Sequence, residues 1–500
     1  MESSRIDADV EAFIQKGLEG YGHIDTEGSY AWLTSLIMTY GVELTYENLI
    51  TSDSDFQANN FQNNGAMLGK ILSAGPPVRK LRIGAIRIAD FKAAFETQAM
   101  CSSLKEVHLV HVSCPGAPLR LNDYAAFKNL CKLHLGAFLT GAARAEDMAR
   151  YMAQNKCLRE LTLGTSCWGD EGIALLLEAL KVNDTLKIFY LCDKALTYDN
   201  LISFAKMLAS NSTLEVVGLD YKCTEDEDKL PFYSDQELPG SVFNRLDIEW
   251  PWPHPRLTAL IRKHGCAPRL QVSVRSLARN EDIQQFFEAL ARVRTLRELH
   301  LYEIDRRRDA YTDGIAYLLK RSASLREILI WSLEDWYTEH SFINIVDALK
   351  KNRSVTTFEI EAEELTPRVA TSLSELLAVN STLNDLAIFF FDDSLSSAQV
   401  QTIEKAFEMN YTLTKLYLGH DEDEDEMGRI GEYMRRNITL ENKAAMCVIS
   451  GVDLSDETGM DALKKVHSGT SLAAKVQMIT GKTREEALDD IQRAVARLHV

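Results

Sequence analysis

No stretch of this 500-residue sequence holds the roughly 18 charge-free apolar residues that a membrane-spanning helix needs. The first residues, MESSRIDADVEAFIQKG, lack the apolar core of a secretory signal and match no lipid-anchor motif. Cysteine is sparse: the nine are Cys101, Cys114, Cys131, Cys157, Cys167, Cys192, Cys223, Cys266 and Cys447. Their odd number and the lack of any C-x-x-C pair predict free thiols in a reducing, cytoplasmic setting. Positive charge is also scarce. With 55 basic residues against 73 acids the formal net charge is −18, which disfavours nucleic acid and anionic membranes, since both demand clustered Lys and Arg. A basic protein is the expected partner.

Chemistry-bearing motifs are missing as well. There is no nucleophile elbow, no His-Glu-x-x-His and no carboxylate pair that spacing singles out, so the chain is expected not to be an enzyme. Gly481, Lys482 and Thr483 resemble the end of a phosphate-binding loop, but Val476 stands where that motif needs its first glycine. Cys131 with His134 and His108 with His111 are the only short metal-like pairs, and zinc would need further ligands. Neither metal nor cofactor is expected.

What the sequence does contain is a repeat. In the stretch 158–191, LRELTLGTSCWGDEGIALLLEALKVNDTLKIFYL, Leu158, Leu161 and Leu163 fit a short strand with one buried face. Ile173, Leu176, Leu177 and Leu180 then form one stripe of a helix. A single strand and helix cannot cover that stripe, so units must stack. The strand template, apolar at i, i+3 and i+5, begins at Val78, Leu104, Leu130, Leu158, Leu186, Leu214 and Phe243. It continues at Ala267, Leu296, Leu325, Val355, Leu383, Leu413 and Leu440, at intervals of 24 to 30 residues that delimit thirteen units. Thr366 before Pro367, Ser396 with Gln399, and Thr483 with Glu486 are helix-start signals. Three prolines in EWPWPHPRL, after Phe243, predict a kink or break in the sheet.

The motifs LRELTL and GDEGIALLLEAL and the recurring N-x-[ST]-L/V joint resemble the leucine-rich repeat family, of the ribonuclease-inhibitor type. The resemblance implies an α/β solenoid, or horseshoe, with a curved parallel sheet on the concave face and helices on the convex face. Residues 1–75 and 441–500 lack the template and are read as helical N-terminal and C-terminal caps around an array at 76–440. The function implied is a protein-binding scaffold or adaptor. The alternatives are a GTPase-activating protein, since Ran GTPase-activating protein shares the repeat type, and an adaptor or receptor-like component of an immune or ubiquitin pathway.

Six N-x-[ST] sequons start at Asn183, Asn211, Asn352, Asn380, Asn410 and Asn437, each three residues before a template position. That spacing assigns them to the repeat, with Asn holding a left-handed helix end, and not to glycosylation. Acidic runs at 225–228 and 421–426 and the arginines at 306–308 fall in loops that follow strands.

The template also names a binding face. If i, i+3 and i+5 point inward, i+2, i+4 and i+6 line the concave side. In the first three units these are Lys80, Arg82, Glu106, His108, Lys132 and His134, and the two histidines should be neighbours. From Phe243 onward the positions carry Asp247 and Glu249, then Glu298, His300 and Tyr302. Glu327, Trp331, Glu359 and Glu361 come next, and Asp385, Phe389 and Tyr417 close the strip. Acids around exposed aromatics are the expected composition of a protein-binding surface for a basic partner.

Overall fold

Apolar residues at i, i+3 and i+5 leave one strand face to be covered, and in the repeat that begins at Leu158 the following helix covers it. Leu158, Leu161 and Leu163 lose essentially all contact with water, as do Ile173, Leu176 and Leu180 of the helix behind them. The computed structural model describes residues 44–45, 80–87, 104–113, 120–137, 142–164, 168–193, 196–222, 240–252, 255–274, 279–302, 309–331, 337–390, 396–419, 428–451, 456–467, 469–480 and 482–498. Two compact units divide the chain at residues 221 and 222.

In the first unit the described strands are β1 (Leu44–Thr45), β2 (Lys80–Arg87), β3 (Glu106–Ser113), β4 (Lys132–Ala137), β5 (Glu160–Leu163) and β6 (Ile188–Leu191), with β7 (Val216–Lys222) at the boundary. Each pairs in parallel with the next. Helices α1 (Ala125–Lys128), α2 (Ala142–Gln154), α3 (Gly169–Val182) and α4 (Tyr198–Ser210) follow β3, β4, β5 and β6 in turn. On the open face Gly218 is paired with Tyr190, and a Cβ at 218 would lie 1.9 Å from the Tyr190 ring. The expected N-terminal cap lies outside the described residues except at β1. There Leu44 and Thr45 form a strand beside Leu81 and Arg82, so the ladder begins ahead of Val78 and that part of the segment is not helical.

In the second unit strands and helices alternate: α5 (Gly240–Phe243), β8 (Leu246–Trp252), α6 (Pro255–His264), β9 (Arg269–Val274), α7 (Asn280–Leu290), β10 (Glu298–Tyr302), α8 (Asp309–Arg321) and β11 (Glu327–Trp331). The pattern continues through α9 (Glu339–Leu349), β12 (Thr357–Ala362), α10 (Pro367–Val379), β13 (Asp385–Phe390), α11 (Ser397–Phe407) and β14 (Lys415–Leu418). From β8 to β14 the neighbours are again parallel. The expected α/β leucine-rich repeat architecture is therefore present, with thirteen template positions from Val78 to Leu413 each leading into one strand, β2 to β14.

Predicted helix starts are realised. The Thr366 hydroxyl accepts from the Val369 amide with Pro367 opening α10, and Ser396 with Gln399 closes a reciprocal capping box on α11. The sheet break expected at the prolines does not occur at Pro251, and Pro253 lies outside the described residues. Glu249, Trp250, Pro251 and Trp252 of β8 pair with Gln271, Val272, Ser273 and Val274. Proline withdraws a single donor, and its fixed φ lies close enough to extended backbone for the other ladder groups to keep pairing. Pro255 is instead the first residue of α6.

The joint asparagines differ from expectation in conformation but not in place. Asn183, Asn211 and Asn380 have φ of −76°, −89° and −90°, all extended. They act through their side chains. Asn380 Nδ2 donates to the Leu349 carbonyl of the preceding repeat at 3.0 Å, while its Oδ1 accepts from the amides of Thr382 and Leu383 at 2.8 and 2.9 Å. Asn155, Asn183, Asn211, Asn352 and Asn410 make the same three bonds. One buried side chain thus satisfies the end of one helix and the turn into the next strand.

The last template position fails. Leu440 lies within α12 (Gly428–Ser450), a helix of 23 residues, so the strand array ends at Leu418. Asn437 still donates to the Leu413 carbonyl at 2.8 Å. However, its Oδ1 accepts from the Arg436 guanidinium at 2.9 Å, which replaces the turn amides and leaves the backbone free to stay helical. With α13 (Glu457–Val466), α14 (Thr470–Thr480) and α15 (Arg484–Leu498), α12 encloses a core of Ala444, Ala445, Val448, Leu463, Val466, Leu472, Val476 and Ile491. Thr483 and Glu486 cap α15 reciprocally. The acidic runs at 225–228 and 421–426, the arginines at 306–308 and Gly481 lie outside the described residues.

Candidate protein-binding face

Strand pleating sends alternate side chains to opposite faces, and β11, β12 and β13 show that alternation in their burial. The face away from the helices carries the residues singled out above. In the first unit Arg82, His108 and His134 are in register. As expected the histidines adjoin, with stacked rings 5.4 Å apart; His108 Nε2 lies 2.7 Å from Glu106 and Lys132 2.9 Å from Glu160.

In the second unit strands β8 to β14 bring seven carboxylates to this face, at Asp247, Glu249, Glu298, Glu327, Glu359, Glu361 and Asp385, against the cations Arg269 and Lys415. Both cations are committed, Arg269 to Asp247 at 2.6 Å and Lys415 to Asp385 at 3.3 Å. Among the described residues no Lys or Arg ion-pairs with Glu298, Glu327 or Glu359. Burial, and then the neighbouring Glu327, push the Glu298 carboxyl above its usual range. Glu359 is raised by burial and by Asp385 and Glu327. The strip is therefore a field of negative charge held partly out of water, where a cation is stabilised more than it is at an ordinary surface.

Two expected surface residues are buried. Asp247 is 1% exposed and His300 8% exposed, because side chains on strands about 4.8 Å apart close over them. Arg269 and the Gln271 amide, at 2.6 and 3.0 Å, cover the Asp247 carboxylate. Burial raises the Asp247 carboxyl and these two donors oppose the shift. Tyr302, edge-on to the His300 ring, and Glu327 cover His300. The same template positions on β9 supply Arg269 and Gln271, which a search for acids and aromatics passes over.

The aromatic residues form a ridge. Trp331 is 46% exposed, its indole favours the charged form of the Glu359 carboxyl, and its ring lies 6.1 Å from that of Phe389. Trp331 sits on β11 and Phe389 on β13, so the indole leans across β12, where Glu361 is in register with Phe389. Phe389 in turn packs on Tyr417 at 4.9 Å. The exposed ring is thus anchored by an aromatic neighbour that is itself packed on a second ring.

No family model matches the chain. Ribonuclease inhibitor of Sus scrofa is 28% identical over 210 residues, 41% of this chain and 40% of that protein, so the match spans less than half of the relative. Similar solved structures include a chain of the Rad7 and Elc1 complex in yeast, at 13% identity and a TM-score of 0.40, covering 83% of this chain and 92% of that one. Another is the leucine-rich repeat-containing protein LegL7 from Legionella pneumophila, at 12% identity and a TM-score of 0.33, covering 58% and 94%. No described helix is long and apolar enough to cross a membrane. The thirteen template strands, their parallel register within each unit and the asparagine joints give this chain a leucine-rich repeat fold, and over the matched stretch its sequence is similar to ribonuclease inhibitor.

Proposed function

We propose that this chain is a non-enzymatic, cytoplasmic interaction scaffold that binds a basic protein on the open face of β8 to β14. The observation that carries the reading is Trp331, a large aromatic left half in water, yet held by Phe389 and set on a face rich in carboxylates. An anchored aromatic loses little side-chain freedom on binding, and such residues dominate interface energetics. Carboxylates around it draw in a positively charged partner and raise its association rate. Recognition, with no bond made or broken, is the mechanism.

Affinity capture from lysate with the full chain and with Trp331→Ala, read by mass spectrometry, tests this. A specific partner with a basic surface should be retained by the parent and weakened by about 2 kcal/mol, near 30-fold, in Trp331→Ala. A double charge reversal at Glu359 and Glu361 should slow association and weaken its dependence on salt. Undiminished binding by both variants, each with parental thermal stability, would remove this face from consideration.

A further inference from the structure

We propose that Glu298, His300 and Glu327 form a binding site for one divalent transition-metal ion on the open face of β10 and β11. Glu298 and Glu327 are register partners on adjacent strands, and His300 follows two residues along β10 on the same face. One ligand atom from each lies within 4.8 Å of the other two, with His300 Nε2 and Glu327 Oε1 3.1 Å apart. A metal about 2.0–2.2 Å from each of its ligands sets tetrahedral ligands roughly 3.4 Å apart, so small side-chain rotations suffice. The donors stand on paired strands, which hold geometry better than loops do.

The hydrogen bonds behind His300 point to a cation independently. Gln271 Nε2 donates to Asp247 Oδ1 at 3.0 Å, which turns Gln271 Oε1 toward Tyr302. The Tyr302 hydroxyl donates to that oxygen at 3.3 Å, leaving its lone pair to accept from His300 Nδ1–H at 3.3 Å. A His300 tautomer that donates from Nδ1 to this hydroxyl turns the Nε2 lone pair, on a side chain only 10% exposed, toward the Glu327 carboxylate 3.1 Å away. In that tautomer a cation can bridge the two. A hydroxyl bonded to the distal ring nitrogen is also the arrangement that orients a histidine ligand.

A proton on Nε2 would meet the Glu327 contact alone and leave Glu298 and Glu327 repelling each other. A divalent ion reaches all three donors. One imidazole with two carboxylates suits zinc, manganese, iron(II) or cobalt, whereas calcium takes six to eight oxygens. Three protein ligands leave further coordination positions open. This site lies on the same open face as the partner-binding reading but does not rest on it, since its ligands do not include Trp331, the residue that carries that reading.

Titration of the purified full-length chain with Co²⁺ and Zn²⁺, by calorimetry and visible absorption, tests the site. One equivalent should bind, with cobalt d–d bands of an N/O ligand set, and the melting temperature should rise with metal concentration. His300→Ala and the near-isosteric Glu327→Gln should abolish that equivalent, Tyr302→Phe should weaken it roughly tenfold, and Trp331→Ala should leave it unchanged. No stoichiometric binding overturns the proposal, and so does binding retained by both ligand variants or thiolate-to-cobalt absorption that assigns the ion to cysteine. A His300 that titrates as an imidazolium and ignores added metal also overturns it.

Discussion

At the scale of single residues the asparagine joint has the clearest consequence. Removing the Asn380 side chain strands the Leu349 carbonyl and the Thr382 and Leu383 amides in a site where Asn380 is 4% exposed. Buried orphan groups cost about 1–3 kcal/mol each before water enters. Asn380→Ala should therefore cost about 2–3 kcal/mol in urea denaturation, and Asn380→Asp, which keeps the acceptor for both amides, should cost less. A loss near 0.5 kcal/mol would mean the joint only biases backbone conformation. The position of these asparagines is legible in the sequence because it recurs; their role is not, because a sequon followed by Leu or Val fits a left-handed cap and an extended cap equally well. The second bond of each joint goes to a carbonyl about 30 residues back, a partner visible only once repeats are stacked.

At the scale of elements, period-two templates identify thirteen strands, and the misreadings at Leu440 and Pro251 share a cause. Both rules describe one residue type in isolation, whereas the outcome depends on what neighbours supply: Arg436 donates to Asn437 where turn amides would, and β9 pairs across the proline. The C-terminal helices illustrate the same dependence. Ala444, Ala445 and Val448 of α12 are buried against Leu463, Leu472 and Ile491 from the three helices that follow. Deleting 456–498 should expose that face, raise binding of a hydrophobic dye and promote self-association in sedimentation. A monomeric, cooperatively melting product would mark the segment as an independent module. On the open face, register brings the template residues into line, but depth within the strip is set by side chains from adjacent repeats, which is why Asp247 and His300 lie under their neighbours.

At the scale of the whole molecule, the net charge of −18 accords with the basic partner proposed, and the repeat explains why acids gather on one face: identical template positions in successive strands come into line. The asparagine joints also run one way along the chain, each reaching back to the repeat before it. A helix such as α9 therefore finishes synthesis with its Leu349 carbonyl waiting for Asn380, 31 residues downstream, and Leu377 waits 33 residues for Asn410. At about 5–20 residues per second that delay is roughly 1.5 to 6 s. Chains arrested on the ribosome before Asn380 has emerged should be cut by protease near Leu349, and chains arrested after it should resist. Each repeat closed by such an asparagine is then locked by the one that follows it out of the ribosome, so in those stretches the newest part of a growing chain is the part a chaperone has to shield.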